Sequence, residues 1–427
     1  MRTRATASRR RALETTCAIA IFAALGSFDL AQAQGGAFGL YEVGLPNQGE
    51  SYAGSAATAD NAGTAYLNPA GMMRLNNTQL LFGPEFFDLR AHFHPGSGTT
   101  VSGSDGGEAG GLHALLGTYF VADIKDDYRL GLSINSPFAY EIDYENDWVG
   151  RYFIEGWKLE TVDIRPSFAC RVDDKLSIGA GADVYYANNY ERIALNNSAD
   201  GLPDGEYSIT AEDWRLGWDL GALYELSPGT RIGATYRSKV EFTMKGTPQY
   251  QNAGPALGST LDDSRYDSNF PLPQGVNVSF YHDFSPRFAL LLDFGWTDWS
   301  AFDHTPTTLD ATPTTVPRDW HDTYRGGIGA RYRFAEKWLL QSGYSYDSSP
   351  VSDADRTPDL PADEQHRISV GLQHEVNKNI TLGAAYTFAH FGSAPIDRTL
   401  DPSSGNLQGS YSPNQVQVLS LTFSFGF

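Results

Sequence analysis

Cysteine is nearly absent: Cys17 and Cys170 are the only two among 427 residues. Cys17 falls in an N-terminal targeting segment. The one cysteine left can form neither an internal disulfide nor a cysteine-built zinc site. Basic residues are outnumbered, 31 against 51 acidic, for a formal charge of −20. Such a surface repels nucleic acid, which is bound by basic patches. Past the targeting segment no run approaches the roughly 18 apolar residues of a membrane-crossing helix. That excludes a helical membrane protein but not a barrel, whose strands show only alternation over about ten residues.

The targeting segment is residues 1–33. Arg2, Arg4, Arg9, Arg10 and Arg11 form a basic head, Thr15 to Gly26 an apolar core, and Ala31-Gln32-Ala33 a small-residue cleavage site. The mature chain is expected to begin at Gln34. Residues 1–33 carry five Arg against Glu14 and Asp29, so their removal takes the formal charge from −20 to −23. So acidic an exported chain suits loops that face water and cation-bridged lipid headgroups.

What the chain has instead is alternation. In its last fourteen residues, NQVQVLSLTFSFGF, Leu419, Leu421, Phe423, Phe425 and Phe427 fall on one strand face and Val418, Ser420, Thr422, Ser424 and Gly426 on the other. The same two-faced pattern recurs from Thr78 onward. Trp214, Leu216, Trp218 and Leu220 oppose Arg215, Gly217 and Asp219; Tyr324, Ile328 and Tyr332 oppose Arg325, Gly329 and Arg331. An Arg at the lipid midplane costs about 2–4 kcal/mol, so the second face must be wet or paired. Short turns at Lys125-Asp126-Asp127, Asp173-Asp174-Lys175, Ser227-Pro228-Gly229, Ser285-Pro286-Arg287, Ala335-Glu336-Lys337 and Asn377-Lys378-Asn379 alternate with long connections near 94–112, 145–158, 196–208, 246–270, 302–321, 348–364 and 393–413. Six short and seven long connections join fourteen strands. Phe284, Phe288, Phe334 and Trp338 flank short turns, as an interfacial girdle requires. A soluble propeller would repeat every 40–50 residues or so, and no such repeat is present. The expected fold is all-β: a 14-stranded antiparallel transmembrane barrel over residues 78–427.

Residues 34–77 have neither period. They are rich in Gly, Ala and Asn, and they suit a plug packed inside a cavity. Gly36–Gly54, GAFGLYEVGLPNQGESYAG, and Ser55–Met72, SAATADNAGTAYLNPAGM, resemble the N-terminal hatch of the FadL/TodX family of outer-membrane transporters. Phe38, Glu42, Gly49, Tyr52, Gly54, Ala59, Asp60, Gly63 and the hatch motif Asn68, Pro69 and Ala70 match without gaps. Gly131–Phe138, Trp148–Tyr152, Thr235–Ser238 and Gly295–Phe302 also look familial. The resemblance implies a monomeric barrel corked by the hatch that passes a hydrophobic small molecule, a long-chain fatty acid or an aromatic hydrocarbon. It implies capture at the extracellular loops, a lumenal pocket beside Phe38, and sideways exit at a kink in the third strand. Neither a cofactor nor a metal is implied.

The residues themselves admit that scheme. Leu130, Leu132 and Ile134 face outward on the third strand until Asn135, Ser136, Pro137 and Phe138 interrupt it. Proline cannot donate to the ladder, so it marks a bulge or a break, and Pro166 shows that it need not open a wall. Among lumen-facing Arg231, Arg237, Lys239, Arg325, Arg331, Arg333 and Arg367, either Arg237 or Lys239 is placed to hold a carboxylate. The competing role is a network with Asp183, Asp219, Glu225, Asp293 and Glu375; Glu42 and Asp60 are read as anchoring the hatch to lumenal Arg. Trp148, Phe153 and Trp157 form an apolar loop cluster suited to landing a greasy ligand or to anchoring the loop in lipopolysaccharide. Tyr250, Ala256, Leu257 and Leu261 lie in the longest loop. His92 and His94 read as a loop stem, and Asp353, Asp355, Asp359, Asp363 and Glu364 lack calcium-loop spacing. An outer-membrane lipolytic enzyme would need a Ser–His–Asp set, which neither His282 nor His374 has nearby. An open porin would not need residues 34–77. A surface receptor or adhesin role is compatible with the same barrel.

Overall fold

The computed structural model describes residues 37–255, 266–302, 304–309, 312–399 and 405–427. The expected signal peptide, the first residues of the expected hatch, and Ala256, Leu257 and Leu261 lie outside them.

Fourteen antiparallel strands close into a barrel. They are β1 (Gln79–Pro95), β2 (Leu112–Lys125), β3 (Tyr128–Asn135, resuming as Ala139–Asp143), β4 (Gly156–Arg171), β5 (Leu176–Leu195), β6 (Gly205–Ser227) and β7 (Thr230–Arg237, resuming as Val240–Gly246). There follow β8 (Tyr266–Leu272, resuming as Gly275–Ser285), β9 (Phe288–Thr297), β10 (Thr323–Ala335), β11 (Trp338–Asp347), β12 (Gln365–Asn377), β13 (Ile380–His390) and β14 (Asn406–Gly426). Each strand pairs with its neighbours in sequence, and β14 closes on β1 from Gln79↔Gly426 to Pro95↔Gly409. Closure of β14 on β1 leaves neither end of the sheet as a free edge. The outer wall carries Leu216, Phe294, Ile328 and Ile368, all exposed, while Asp293, Arg325, Arg331 and Arg367 are buried inside.

All six tight turns fall where the sequence puts them. The strands reach further on the loop side: β14 starts at Asn406, eight residues before the greasy stretch that marks it in the sequence. Above the membrane band the strand has no lipid face, so Asn406–Pro413 pairs without alternating. It takes Ile396–Thr399 as an added partner on one side and the end of β1 on the other.

Residues 37–77 lie within the barrel as four short helical turns: Pro46–Glu50, Ser55–Thr58, Thr64–Leu67 and Pro69–Arg74. Absence of periodicity is the signature of turns this short. Each is packed against the inner wall, and glycines make the approach possible. An added methyl at Gly83 of β1 would overlap the Gly44 backbone, and one at Gly233 of β7 would overlap the Ala56 carbonyl. Charge fastens the hatch. Arg331 of β10 pairs with both Glu50 and Asp60, and Arg367 of β12 reaches Glu42 at 3.3 Å. Arg325 and Arg367 also stand over the Tyr41 ring, 3.9 and 4.9 Å from its centre. The expected anchoring of Glu42 and Asp60 to lumenal Arg is what the structure contains.

The hatch motif is a cap and a tether. Asn68 caps the Pro69–Arg74 turn, accepting from the Ala70 N–H at 3.1 Å, with Pro69 at the first position, where its missing N–H costs nothing. The Asn68 amide then donates to the Ala56 carbonyl at 2.7 Å and to the Ala222 carbonyl of β6 at 3.0 Å.

Two outcomes are expected. Deleting residues 34–77 should turn a tight barrel into a conducting pore in planar bilayers; unchanged conductance would show that these residues do not block it. Asn68→Ala removes the cap and both donated bonds, a loss of about 1–2 kcal/mol in hatch seating. Proteolysis of the hatch should quicken while the barrel keeps its heat-modifiable migration in detergent gels.

Candidate functional site

Up to Asn135, β3 is an ordinary strand, paired with β2 through Thr118↔Ile134 and with β4 through Asn135↔Asp163. Pro137 has no N–H to give, and the chain turns into the lumen over Ser136–Phe138. It rejoins β4 at Ala139↔Glu160, one residue out of its earlier register. It does not rejoin β2. Leu112–Gly117 of β2 thus has no ladder partner on this side, a stretch of about 20 Å at the usual strand rise. The wall closes again above, where the Asp143 N–H donates to the Ala109 carbonyl at 2.9 Å and the Ala109 N–H to Ala91 at 3.0 Å. The result is a framed window between β2 and the upper half of β3.

The backbone freed at the kink is taken up by the hatch. The Leu40 N–H donates to the Pro137 carbonyl at 2.9 Å, and Gly39 forms a bridge with Phe138. Thr161 of β4 completes the set: its hydroxyl accepts from the Phe138 N–H at 3.2 Å and donates to the Phe138 carbonyl at 2.6 Å. Pro166 opens nothing. Its ladder to β5 resumes in the same register, Ile164↔Val184 to Ser167↔Gly181, so one donor is lost without a displaced strand.

Inside the window lies a cavity of about 370 Å³. Its apolar lining includes Phe38 and Leu40 of the hatch, Leu115 of β2, Tyr140 of β3 and Leu159 of β4; His113, Glu141 and Lys158 stand on its rim. Phe38 is 1% exposed. Its ring is 4.6 Å from Trp299, 5.4 Å from Phe302 and 5.7 Å from Phe270. Phe138 and Trp157 are 6.1 Å away and Trp320 6.2 Å. Phe38 is therefore a seated residue, not a frayed end, and three of the expected site residues, Phe38, Phe138 and Trp157, meet in one cage.

Other expected positions land elsewhere. Trp148 and Phe153 are buried, so the loop cluster is not an exposed landing surface. Trp148 stacks on Tyr144 with ring centres 3.8 Å apart and donates its indole N–H to the Ile154 carbonyl at 2.7 Å. The loop folds over the barrel mouth and needs these rings for its own core. Arg237 faces the lumen as expected, but it donates to the Tyr66 hydroxyl at 2.8 Å and lies over the Tyr66 ring. Lys239 does not face the lumen. A slip at Ser238 and Lys239 reverses the alternation, so Val240, Phe242 and Met244 turn inward and Glu241 outward. Lys239 goes with Glu241, its partner at 2.6 Å.

Arg231 donates to the Ala57 and Thr58 carbonyls of the hatch, and most of the other lumenal charges form the network. Arg165, which the sequence reading overlooked, pairs with Asp163, Asp183 and Asp219; Arg325 with Asp293; Arg333 with Glu375; Arg74 of the hatch with Glu225. The acidic loop is held by arginines: Arg356 takes Asp353 and Asp363, and Arg318 takes Asp359. Among the described residues no group of His, Cys, Asp and Glu is arranged to hold a metal ion. The rim residues His113, Glu141 and Lys158, and the partner role of Gly39 and Leu40, were also missed. Of these only Glu141, four residues past Pro137, had a sequence signal, its proximity to the break.

Known proteins share this architecture. The chain is 26% identical to the long-chain fatty acid transport protein of Escherichia coli O6:H1 over 414 residues, which is 89% of this chain and 92% of the relative. It is 25% identical to outer membrane protein P1 of Haemophilus influenzae, over 83% of this chain and 86% of that one. The crystal structure of a Pseudomonas aeruginosa FadL homologue superposes with a TM-score of 0.85 at 20% identity, covering 92% of this chain and all of that one. The Pseudomonas putida toluene transporter TodX superposes at 0.70 with 16% identity, covering 91% and 99%. The family model for the outer membrane protein transport proteins (OMPP1/FadL/TodX) matches residues 27–427, and the chain belongs to that family of outer-membrane transporters.

Proposed function

We propose that this protein is a passive uptake channel for hydrophobic small molecules, long-chain fatty acids foremost. On this reading the ligand enters the apolar cavity beside Phe38, displaces that ring, and leaves sideways through the window between β2 and β3. No energy source and no catalytic step are involved. One observation carries the reading: the cavity of about 370 Å³ reaches from Phe38 to Leu112–Leu115 of β2, within the stretch that lacks a ladder to β3 beside the Pro137 kink. The hatch blocks the straight path, with Glu50 and Asp60 bonded to the wall, so the side path is the shorter one. Residues 1–33 act as the signal peptide, and a barrel whose last strand closes on its first works as a monomer.

The fatty-acid assignment draws on the relative in Escherichia coli, whose name is long-chain fatty acid transport protein. A second reading, aromatic hydrocarbons, is favoured by the six rings around Phe38, since a cage that accepts a benzyl side chain accepts a free arene. Growth of a deletion strain on oleate against toluene, with binding to purified protein, separates the two.

Replacing Ser136-Pro137 by residues that let β3 run straight should restore its ladder to β2 and abolish uptake, with heat-modifiable migration retained. Undiminished uptake by a folded variant would reject lateral exit.

A further inference from the structure

We propose that Glu141 is a latch across the window, and that a carboxylate-headed amphiphile opens it by exchange. The wall then passes acids in preference to uncharged molecules of equal chain length. This rests on the lateral-exit reading and specifies what the exit selects.

Glu141 sits on the half of β3 that has no ladder to β2. Its carboxylate spans the gap: Oε2 is 3.5 Å from Nδ1 of His113 on β2 and 3.2 Å from Nζ of Lys158 on β4. The two bases stand on opposite sides of the wall. His113 alternates with outward Leu112 and Ala114, so it faces the cavity; Lys158 shares the outer face with Glu160, 2.9 Å away. His113 Nε2 is buried with no hydrogen-bond partner among the described residues. A headgroup arriving from the cavity meets that imidazole first and the Lys158 ammonium last.

The other cation on the cavity is committed. Arg367 is held by Glu42 at 3.3 Å and Asp347 at 2.9 Å, and donates to Gln365 at 2.6 Å. Favourable charge for a travelling carboxylate is thus concentrated at the window. Side chains of His113, Glu141 and Lys158 are each about one-third exposed, at 32%, 36% and 37%. The Lys158 ion pair and the His113 contact, both partly exposed, are weak and exchange readily. A second carboxylate can take over both bases and release Glu141 to water. An alcohol or a hydrocarbon cannot, and must pass with the latch closed.

The test compares uptake of oleate with uptake of oleyl alcohol, in cells lacking any other such channel. Glu141→Gln keeps the shape and removes the charge. It should lower the preference for oleate about fivefold, the weight of one partly exposed ion pair, by speeding the alcohol. Lys158→Met removes the last base met by the acid, should slow oleate and so lower the preference, and stands in if Glu141→Gln fails to fold. A preference unaltered in heat-modifiable samples of either variant would overturn the latch. The straightened Ser136-Pro137 variant separates the two levels. If it blocks uptake while the preference of Glu141→Gln is unaltered, the latch alone is wrong; if it transports normally, lateral exit and latch are both wrong.

Discussion

Hydrocarbon offers no hydrogen bonds, so each backbone N–H and C=O that crosses it must be paired inside the protein. The structure follows from that constraint. It explains why the chain closes β14 onto β1, and why the β3 backbone released at the Pro137 kink is bonded from within. Leu40, Gly39 and Thr161 take the groups that the Pro137 kink sets free. The hatch is thus part of the wall as well as a cork. Its first described residues are bonded to the strand whose displacement frames the window, so the plug and the opening are mechanically one object.

A barrel lumen filled with charge could be a water path or a glue. Here it is mostly glue. Buried arginines meet acids of the hatch and of opposite strands, as Arg331 does with Glu50 and Asp60. Burying a charge without a partner is costly, and most of the basic side chains weighed as carboxylate receptors are already occupied. Against that background the partly exposed triad at the window differs in kind: its pairs are loose, it spans a stretch where β2 and β3 have no ladder, and one imidazole nitrogen has no partner among the described residues.

The apolar loops follow the same logic. Trp148 and Phe153 invited reading as a surface because loops usually are one. A loop that covers a barrel mouth has an underside, however, and large rings placed there bury themselves and build a core continuous with the Phe38 cage. Lys239 shows the limit of alternation. One inserted residue between two correct halves of β7 turns every later side chain to the other face, and nothing in the local composition of Ser238-Lys239 announces it.

The sequence by itself determined what depends on near neighbours. Two-residue alternation established a greasy outside and a polar inside, turn chemistry established the six tight ends and hence fourteen strands, and the hatch motif pointed to the family. Tertiary structure alone decided which of two prolines displaces its strand, which lumenal cations are spent, and which loop rings are hidden. Those outcomes depend on register between strands and on residues far apart in the chain, Leu40 with Pro137 or Glu50 with Arg331. A periodic pattern records which way a side chain points, and carries no record of what it meets there.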